Sequence, residues 1–328
     1  MFKGTISRER RFLILMTLLI GIFLILPLFL SAYYIRRVKF FFWIATVALS
    51  WNFVSGYGGQ VLFGHHGIWG LGAYASGLFM SWTGLSPFLG LPLTAFVTSL
   101  VWVIILYPCF RRRGVYFSIL SFLGASTVFY LILNLRSITG GGSGFAFPIP
   151  QGEFPSSTIL YYAQLIIFAC CFGVLYFFMK SRYGLRLQAI RDDQDAASAV
   201  GINISRYKLV IFFISGYFIA AAAGIHAYGL NWIEPSTIFD IEFYNILPLF
   251  AVIIGGLATI PGPIIGAAII VLLRTYLTDL FREYFILFVS GLIIITLLFA
   301  REGVWFKMKD AEEWVYSRMK KFIKKGNH

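Results

Sequence analysis

The sequence predicts an all-α protein, a polytopic transmembrane helical bundle of about ten segments with glycine-rich broken helices. Composition is the first indication, because 59% of the 328 residues are hydrophobic and only 12% are charged. A soluble domain carries roughly a quarter charged residues. Long apolar runs are the second indication, since many approach the ~20 residues that cross a bilayer as a helix. The alternating pattern of an outer-membrane barrel is absent.

Charged and turn-forming residues divide the apolar sequence into ten segments. One helix over 244–278 would be too long, and the prolines at Pro261 and Pro263 break helices, so this stretch is divided in two. The predicted segments are 12–34, 40–56, 66–83, 88–110, 115–135, 158–179, 208–230, 244–258, 262–278 and 283–300.

The basic residues predict the orientation in the membrane. They concentrate in the two termini and in two loops, 111–113 and 180–208, so the positive-inside rule places all four regions in the cytoplasm. The net charge of +13 is therefore an orientation signal and does not indicate nucleic-acid binding. Arg36, Arg37 and Lys39 are an exception on the predicted outer side. We predict a permease domain over 1–300 and a basic amphipathic cytoplasmic tail over 301–328.

The distribution of ionisable residues excludes several kinds of transporter and enzyme. All 14 Asp and Glu residues fall outside the predicted spans or at their ends, whereas ion-coupled carriers usually keep an ionisable group within the membrane. Only His226 or the pair His65-His66 could take that role. We find no phosphate-binding loop, nucleophile–base pair or metal-ligand spacing, and so expect no catalytic residue, metal or cofactor. A transporter without its own energy source needs a partner ATPase.

The loop 180–208 carries a candidate docking helix. Asp192, Asp193 and Asp195 supply an acidic start with a cap, a small-residue run follows, and Gly201 is a natural stop. Small side chains would let a partner approach closely, although a solvated loop with one helical turn fits the composition equally well. The residues of this candidate docking helix are Asp192, Asp193, Asp195, Ala196, Ala197 and Gly201.

Glycine is dense at membrane depth over 55–67. Where glycines interrupt a helix, backbone N–H and C=O groups lose their helical partners. They then need protein or water partners, so the segment should face the bundle interior. A broken helix along a translocation pathway and close packing through small residues both fit, and the residues alone favour packing slightly. The candidate pathway residues are Gly56, Tyr57, Gly59, Gln60, Gly64 and His65.

Four motifs resemble the LivM family of branched-chain amino acid permeases. Residues 195–201 match the E-A-A-x-x-x-G pattern of coupling helices in ATP-binding cassette importers, with Asp195 in place of Glu. Residues 56–74 resemble the family's G-Y-x-G-Q segment, with Trp69 where Phe is usual. Residues 138–145 resemble its external T-G-G-S segment with one extra Gly, and 255–267 its G-G-x-G-T turn with Ala258 for Gly.

The resemblance implies a permease subunit in the bacterial inner membrane that imports leucine, isoleucine and valine. Its implied partners are a second homologous permease subunit, two ATP-binding cassette subunits that hydrolyse ATP, and an extracytoplasmic solute-binding protein. The resemblance makes the six residues named at 192–201 the predicted coupling residues, which sit in a cleft of the ATPase and transmit its motion. Permeases for urea and short amides are very similar in sequence, so that cargo is the nearest alternative. An ATP-independent carrier or channel is the more distant one.

Overall fold

The computed structural model describes residues 16–112, 114–149, 155–280 and 303–308, with scattered residues between 287 and 298. The predicted last span, 283–300, and the predicted tail, 301–328, lie largely outside these residues. So does the first part of the predicted span 12–34.

Helices dominate the described residues, as the composition predicts. In order they are α1 (Met16–Leu28), α2 (Ala32–Asn52), α3 (His65–Thr83), α4 (Pro87–Leu106), α5 (Gly114–Asn134), α6 (Arg136–Thr139), α7 (Ser157–Lys180), α8 (Arg182–Asp192), α9 (Gln194–Ala199), α10 (Ile204–Leu230), α11 (Pro235–Ile238), α12 (Leu247–Gly255) and α13 (Pro261–Leu280). Two-residue strands, β1 (Phe145–Ala146) and β2 (Trp232–Ile233), pair antiparallel.

Six helical segments of the described chain are long and apolar enough to cross a membrane. They are Ala32–Tyr57, Pro87–Phe110, Gly114–Asn134, Ser157–Lys180, Ile204–Leu230 and Pro235–Gly255. The apolar helices α1 and Pro261–Tyr276 are shorter, and α3 is outside the six although it has 19 residues. The all-α, multi-spanning class is confirmed, and the described residues do not confirm about ten segments.

The first two predicted segments were divided at the wrong place. Pro27 lies in a 3₁₀ turn that ends α1, Ser31 is extended, and α2 starts at Ala32 instead of residue 40. The basic cluster at 36–39 is therefore part of α2 and not an external loop. Arg37 lies over the ring of Tyr33 at 5.0 Å and donates to its hydroxyl at 3.0 Å.

Helix α2 is the centre of the bundle. Every residue from Phe41 to Gly56 is buried, and α2 packs against α7, α10, α12 and α13. Small residues allow close helix contacts elsewhere: a β-carbon at Gly72 of α3 would lie 2.6 Å from Ala220 Cα of α10. Such contacts let helices associate where apolar burial against lipid offers little driving force.

The polar stretch 180–208 is more helical than predicted. Helix α8 was not expected, because its charged residues were interpreted as part of a loop. Ser181 caps it by accepting from the Tyr183 amide at 3.2 Å, and its buried residues, Gly184, Leu187 and Ile190, recur every three residues. That spacing was the available signal.

Two predicted external loops are joined to each other. Phe145 pairs with Ile233 and Ala146 with Trp232, so β1 and β2 connect the segment after α5 to the segment after α10. Beside them, Thr237 and Ser236 donate hydroxyl hydrogen bonds to Glu234 and hold the pKa of its carboxyl below the usual value.

Candidate functional site

The candidate site begins at a helix break. After α2 the chain makes a π-helical turn over Phe53–Tyr57, and it becomes helical again only at His65, where α3 starts. Gly59 adopts φ +67°, a left-handed conformation that glycine reaches without steric cost. The glycine density of the sequence thus predicted the break, and π-helical turns are frequent at functional sites.

Side chains of the preceding helix satisfy part of the backbone of the break, residues 58–64. The Ser55 hydroxyl donates to the Gln60 carbonyl at 2.9 Å and accepts from the Leu62 amide at 3.2 Å. The Trp51 indole donates to the Leu62 carbonyl at 2.8 Å. These bonds replace the helical ladder beyond residue 60, since the amides of residues 58–60 still donate to carbonyls of the preceding turn.

Helix α5 supplies two further partners. Ser118 donates to the Val61 carbonyl at 2.7 Å, and Ser121 accepts from the Phe63 amide at 3.0 Å. The break is therefore held from two sides by protein, which is the condition for irregular backbone at membrane depth.

Two buried asparagines that sequence reasoning missed tie the break to the C-terminal helices. Asn52 accepts from the Ala258 amide at 2.8 Å and donates to the Thr259 carbonyl at 2.7 Å. Asn245 accepts from the His65 amide at 3.0 Å. Both are amides within apolar helices, and that was the signal available in the sequence, since a buried amide needs partners.

All six predicted pathway residues lie in or beside the break, where two of the glycines permit close backbone contacts. A β-carbon at Gly56 would lie 2.8 Å from the Ala258 amide nitrogen, and one at Gly64 would lie 2.5 Å from the Ser121 carbonyl oxygen. Close packing, the alternative that the residues alone favoured, therefore accounts for these two positions. The other four predicted residues are Tyr57, Gly59, Gln60 and His65.

Gln60 is the exceptional polar side chain of the break. It is 1% exposed, and among the described residues neither amide atom has a hydrogen-bond partner. An unpaired buried amide costs about 1–3 kcal/mol. His65 is equally buried, with its ring 6.3 Å from that of Trp51. Within the described chain, no three His, Cys, Asp or Glu residues group as a metal site.

The predicted docking helix is present as α9. Asp193 is its cap: one carboxylate oxygen accepts from the amides of Asp195 at 2.8 Å and Ala196 at 3.0 Å. Of the predicted coupling residues only Ala197 is buried, and the other five are exposed. The helix therefore presents most of its surface outward.

Gly201 ends α9 in a Schellman turn. Its φ is +84°, its amide donates to the Ser198 carbonyl at 2.9 Å, and the Ile202 amide donates to the Ala197 carbonyl at 3.1 Å. Apart from its chain neighbours, no atom of the described residues lies within 4 Å of where a β-carbon would stand at Gly201. The position thus needs glycine for its backbone angles and not for lack of space.

The predicted pathway residues and the predicted coupling residues are connected through Arg191, at the end of α8. A β-carbon at Gly59 would lie 3.0 Å from Arg191 Cγ. Arg191 also pairs with the exposed carboxylate of Asp192 at 2.9 Å. The short segment from Arg191 to Asp193 therefore connects the break after α2, which Arg191 contacts, to the capped helix α9.

An aromatic cluster lies beside α3 and was not predicted. Trp69 stacks on Tyr244 at 4.7 Å between ring centroids, and the Tyr244 hydroxyl lies 3.2 Å from His226 Nε2. The Arg274 guanidinium lies 4.3 Å from the centroid of the Phe243 ring, a cation–π distance. Sequence reasoning noted Trp69 only as a departure from a family pattern.

Comparison with known proteins agrees with these motifs. The profile of the family described as "Branched-chain amino acid transport system / permease component" matches residues 33–298. The chain belongs to this family. The predicted resemblance to LivM-type permeases is thereby confirmed, and a member of this permease family with several membrane-length apolar helices is a multi-pass membrane protein.

The curated relatives of this permease-family chain are distant. It is 26% identical over 286 residues to the Salmonella typhimurium high-affinity branched-chain amino acid transport system permease protein LivM, covering 79% of this chain but 66%, just under two thirds, of that protein. BraD of Pseudomonas aeruginosa is 23% identical, covering 79% and 90%, and a probable LivH of Methanocaldococcus jannaschii 27% identical, covering 73% and 82%. No solved structure matches significantly.

Proposed function

We propose that this chain is the membrane permease subunit of an ATP-driven importer. In this proposal a docked ATPase moves α9, and the movement reaches the break at 58–64 through α8. The observation that carries it is the packing of Gly59 against Arg191, which links the exposed docking helix to the irregular segment. Family membership supports the permease role.

The proposed machine contains this chain, a second homologous permease subunit, two ATP-binding cassette subunits that hydrolyse ATP, and an extracytoplasmic binding protein. The coupling residues at 192–201 would occupy a groove on one ATPase. ATP-driven closure of the ATPase pair would then switch the bundle between outward and inward access. This chain itself makes and breaks no covalent bond.

The proposed cargo is leucine, isoleucine and valine, in agreement with the printed names of the relatives. Branched-chain amino acids present apolar side chains, and buried aromatic residues such as Trp69 line the interior near the break. Urea or a short amide is the second candidate, since the unpartnered Gln60 amide could bond such a cargo.

In the membrane we propose about ten spans in the bacterial inner membrane, with both termini and the loop 180–208 cytoplasmic. The concentration of basic residues in these regions supports that orientation. The domain division at residue 300 belongs to the same proposal.

Co-purification and reconstitution test the proposal together. The chain would be isolated in mild detergent from its own membranes, with co-purifying proteins identified and the complex placed in vesicles with ATP inside. We expect an ATPase and a second permease, and uptake of labelled leucine that requires ATP and the binding protein. Uptake of urea with exclusion of leucine would select the second cargo. Transport by this chain alone without ATP would overturn the proposal in favour of a carrier.

A further inference from the structure

A cleft opens between the end of α7 and the start of α10, with a volume of about 920 Å³. Its walls come from α8, from the turn after α9, and from the facing ends of the two long apolar helices. Those helices, Ser157–Lys180 and Ile204–Leu230, are both membrane-length segments. The cleft therefore lies where membrane helices give way to the polar stretch at 180–208.

Part of the cleft lining is cationic. Arg186 and Arg206 both line it and both are exposed. Arg186 donates one hydrogen bond to the Tyr207 hydroxyl at 3.2 Å, which leaves most of its five N–H donors for another acceptor. Within the described chain the Arg206 side chain has no hydrogen bond or ion pair, and no acidic residue lines the cleft.

The rest of the lining is apolar and aromatic. Phe178 of α7 and Val210 of α10 belong to the two membrane-length helices, and Val210 is 40% exposed. Tyr183 and Tyr207 also line the cleft, with ring centroids 6.2 Å apart. Tyrosine suits the headgroup level of a bilayer, where an apolar ring and a polar hydroxyl are both satisfied.

We propose that this cleft binds an anionic phospholipid, with the headgroup phosphate between Arg186 and Arg206 and an acyl chain along Phe178 and Val210. Guanidinium groups match phosphate oxygens in geometry and charge. A soluble phosphate would leave the apolar part of the lining uncovered, and a zwitterionic lipid would add a cation to a cleft whose described lining has no acidic residue. Val200 and Gly201 line the same cleft, so the bound lipid would also contact the turn that ends α9.

Native mass spectrometry of the full chain, and of its complete complex, tests this assignment. The protein in detergent would be titrated with phosphatidylglycerol or with phosphatidylcholine of identical acyl chains. We expect preferential retention of one phosphatidylglycerol. Arg186→Gln and Arg206→Gln should each weaken retention roughly tenfold or more, because each removes charge-assisted hydrogen bonds to the phosphate. Arg206→Lys should weaken it less, because the ammonium group keeps the charge but loses the paired donors.

Arg182→Gln is the matched control, since Arg182 is exposed on the same helix but does not line the cleft. Equal losses in Arg182→Gln and Arg186→Gln would mean diffuse surface attraction and would overturn the proposal. Equal retention of the two lipids by the wild-type protein would also overturn the proposal, and this comparison needs no variant. Displacement by glycerol phosphate at equal concentration would assign a soluble anion instead. Loss of the lipid on assembly of the complex would make the cleft a protein-docking surface.

Discussion

The backbone of Gly59 lies against the side chain of Arg191, so that a β-carbon at Gly59 would stand 3.0 Å from Arg191 Cγ and 3.3 Å from Arg191 Cα. Gly59 also has φ +67°. Gly59→Ala should therefore lower the free energy of unfolding by about 1–2 kcal/mol, because both the backbone angle and the contact oppose a side chain. Thermal unfolding in detergent measures this, and ATP-driven uptake should fall as well.

Gly173→Ala is the control for that substitution. Gly173 lies within α7 and has no positive φ, and among the described residues no atom of another helix lies within 4 Å of a β-carbon built there, so alanine should be neutral or stabilising. Equal unfolding temperatures for the two variants would show that the contact between Gly59 and Arg191 has no energetic weight.

Substitutions of Gly201 should have graded effects on the end of α9. Because the space around it is open, the cost of substitution should follow the ease of reaching φ +84° and rise from Asn through Ala to Val. We expect Gly201→Val to disrupt the end of α9 and to uncouple ATP hydrolysis from uptake while expression stays intact. Gly201→Asn should keep most of the coupling. Normal ATP-driven uptake by the valine variant would contradict this prediction.

Gln60 and Gln164 form a natural pair for separating function from stability. Both are buried, but Gln164 donates to the Ala222 carbonyl at 2.8 Å, whereas Gln60 has no partner among the described residues. Gln60→Leu should leave the unfolding temperature unchanged or raise it, yet impair uptake without loss of the co-purified ATPase. Gln164→Leu should cost about 1 kcal/mol of stability. Unchanged uptake by Gln60→Leu would assign Gln60 to packing alone.

Asn52 should be among the most sensitive positions of α2. Asn52→Leu removes both hydrogen bonds to the turn at 258–259 and leaves their backbone partners unpaired, which should cost about 3 kcal/mol. Thr46→Val is the control, since the Thr46 side chain is as buried but its hydroxyl donates within α2, to the Phe42 carbonyl. Similar unfolding temperatures for the two variants would show that the asparagine bridge is dispensable.

The sequence predicted those structural features that depend on a few neighbouring residues. The Asp193 cap, the Gly201 stop and the break near Gly59 each follow from a few neighbouring residues, and all three are present. The turn between α12 and α13 was also expected, although the chain turns at Gly256–Ile260 and the prolines begin α13. The length of the apolar runs is likewise a feature of neighbouring residues, and it predicted the all-α class.

Long-range partners could not be predicted from the same signals. Asn52 and Thr259 are 207 residues apart, and no periodicity in either segment indicates that they meet. The pairing of β1 with β2 is similar, because two-residue strands carry no alternating pattern. Helix α8 was missed for another reason: its many charges outweighed three buried positions in the interpretation of the loop.

The side-chain bonds that hold the break at 58–64 come from separate residues, namely Trp51, Ser55, Ser118 and Ser121. Melting a helix is cooperative, since its hydrogen bonds form and are lost together. Here most of these bonds can be exchanged singly by rotation of one side chain, and Ser55 holds two. Rearrangement of this segment should thus proceed in small steps, without the cooperativity of a melting helix.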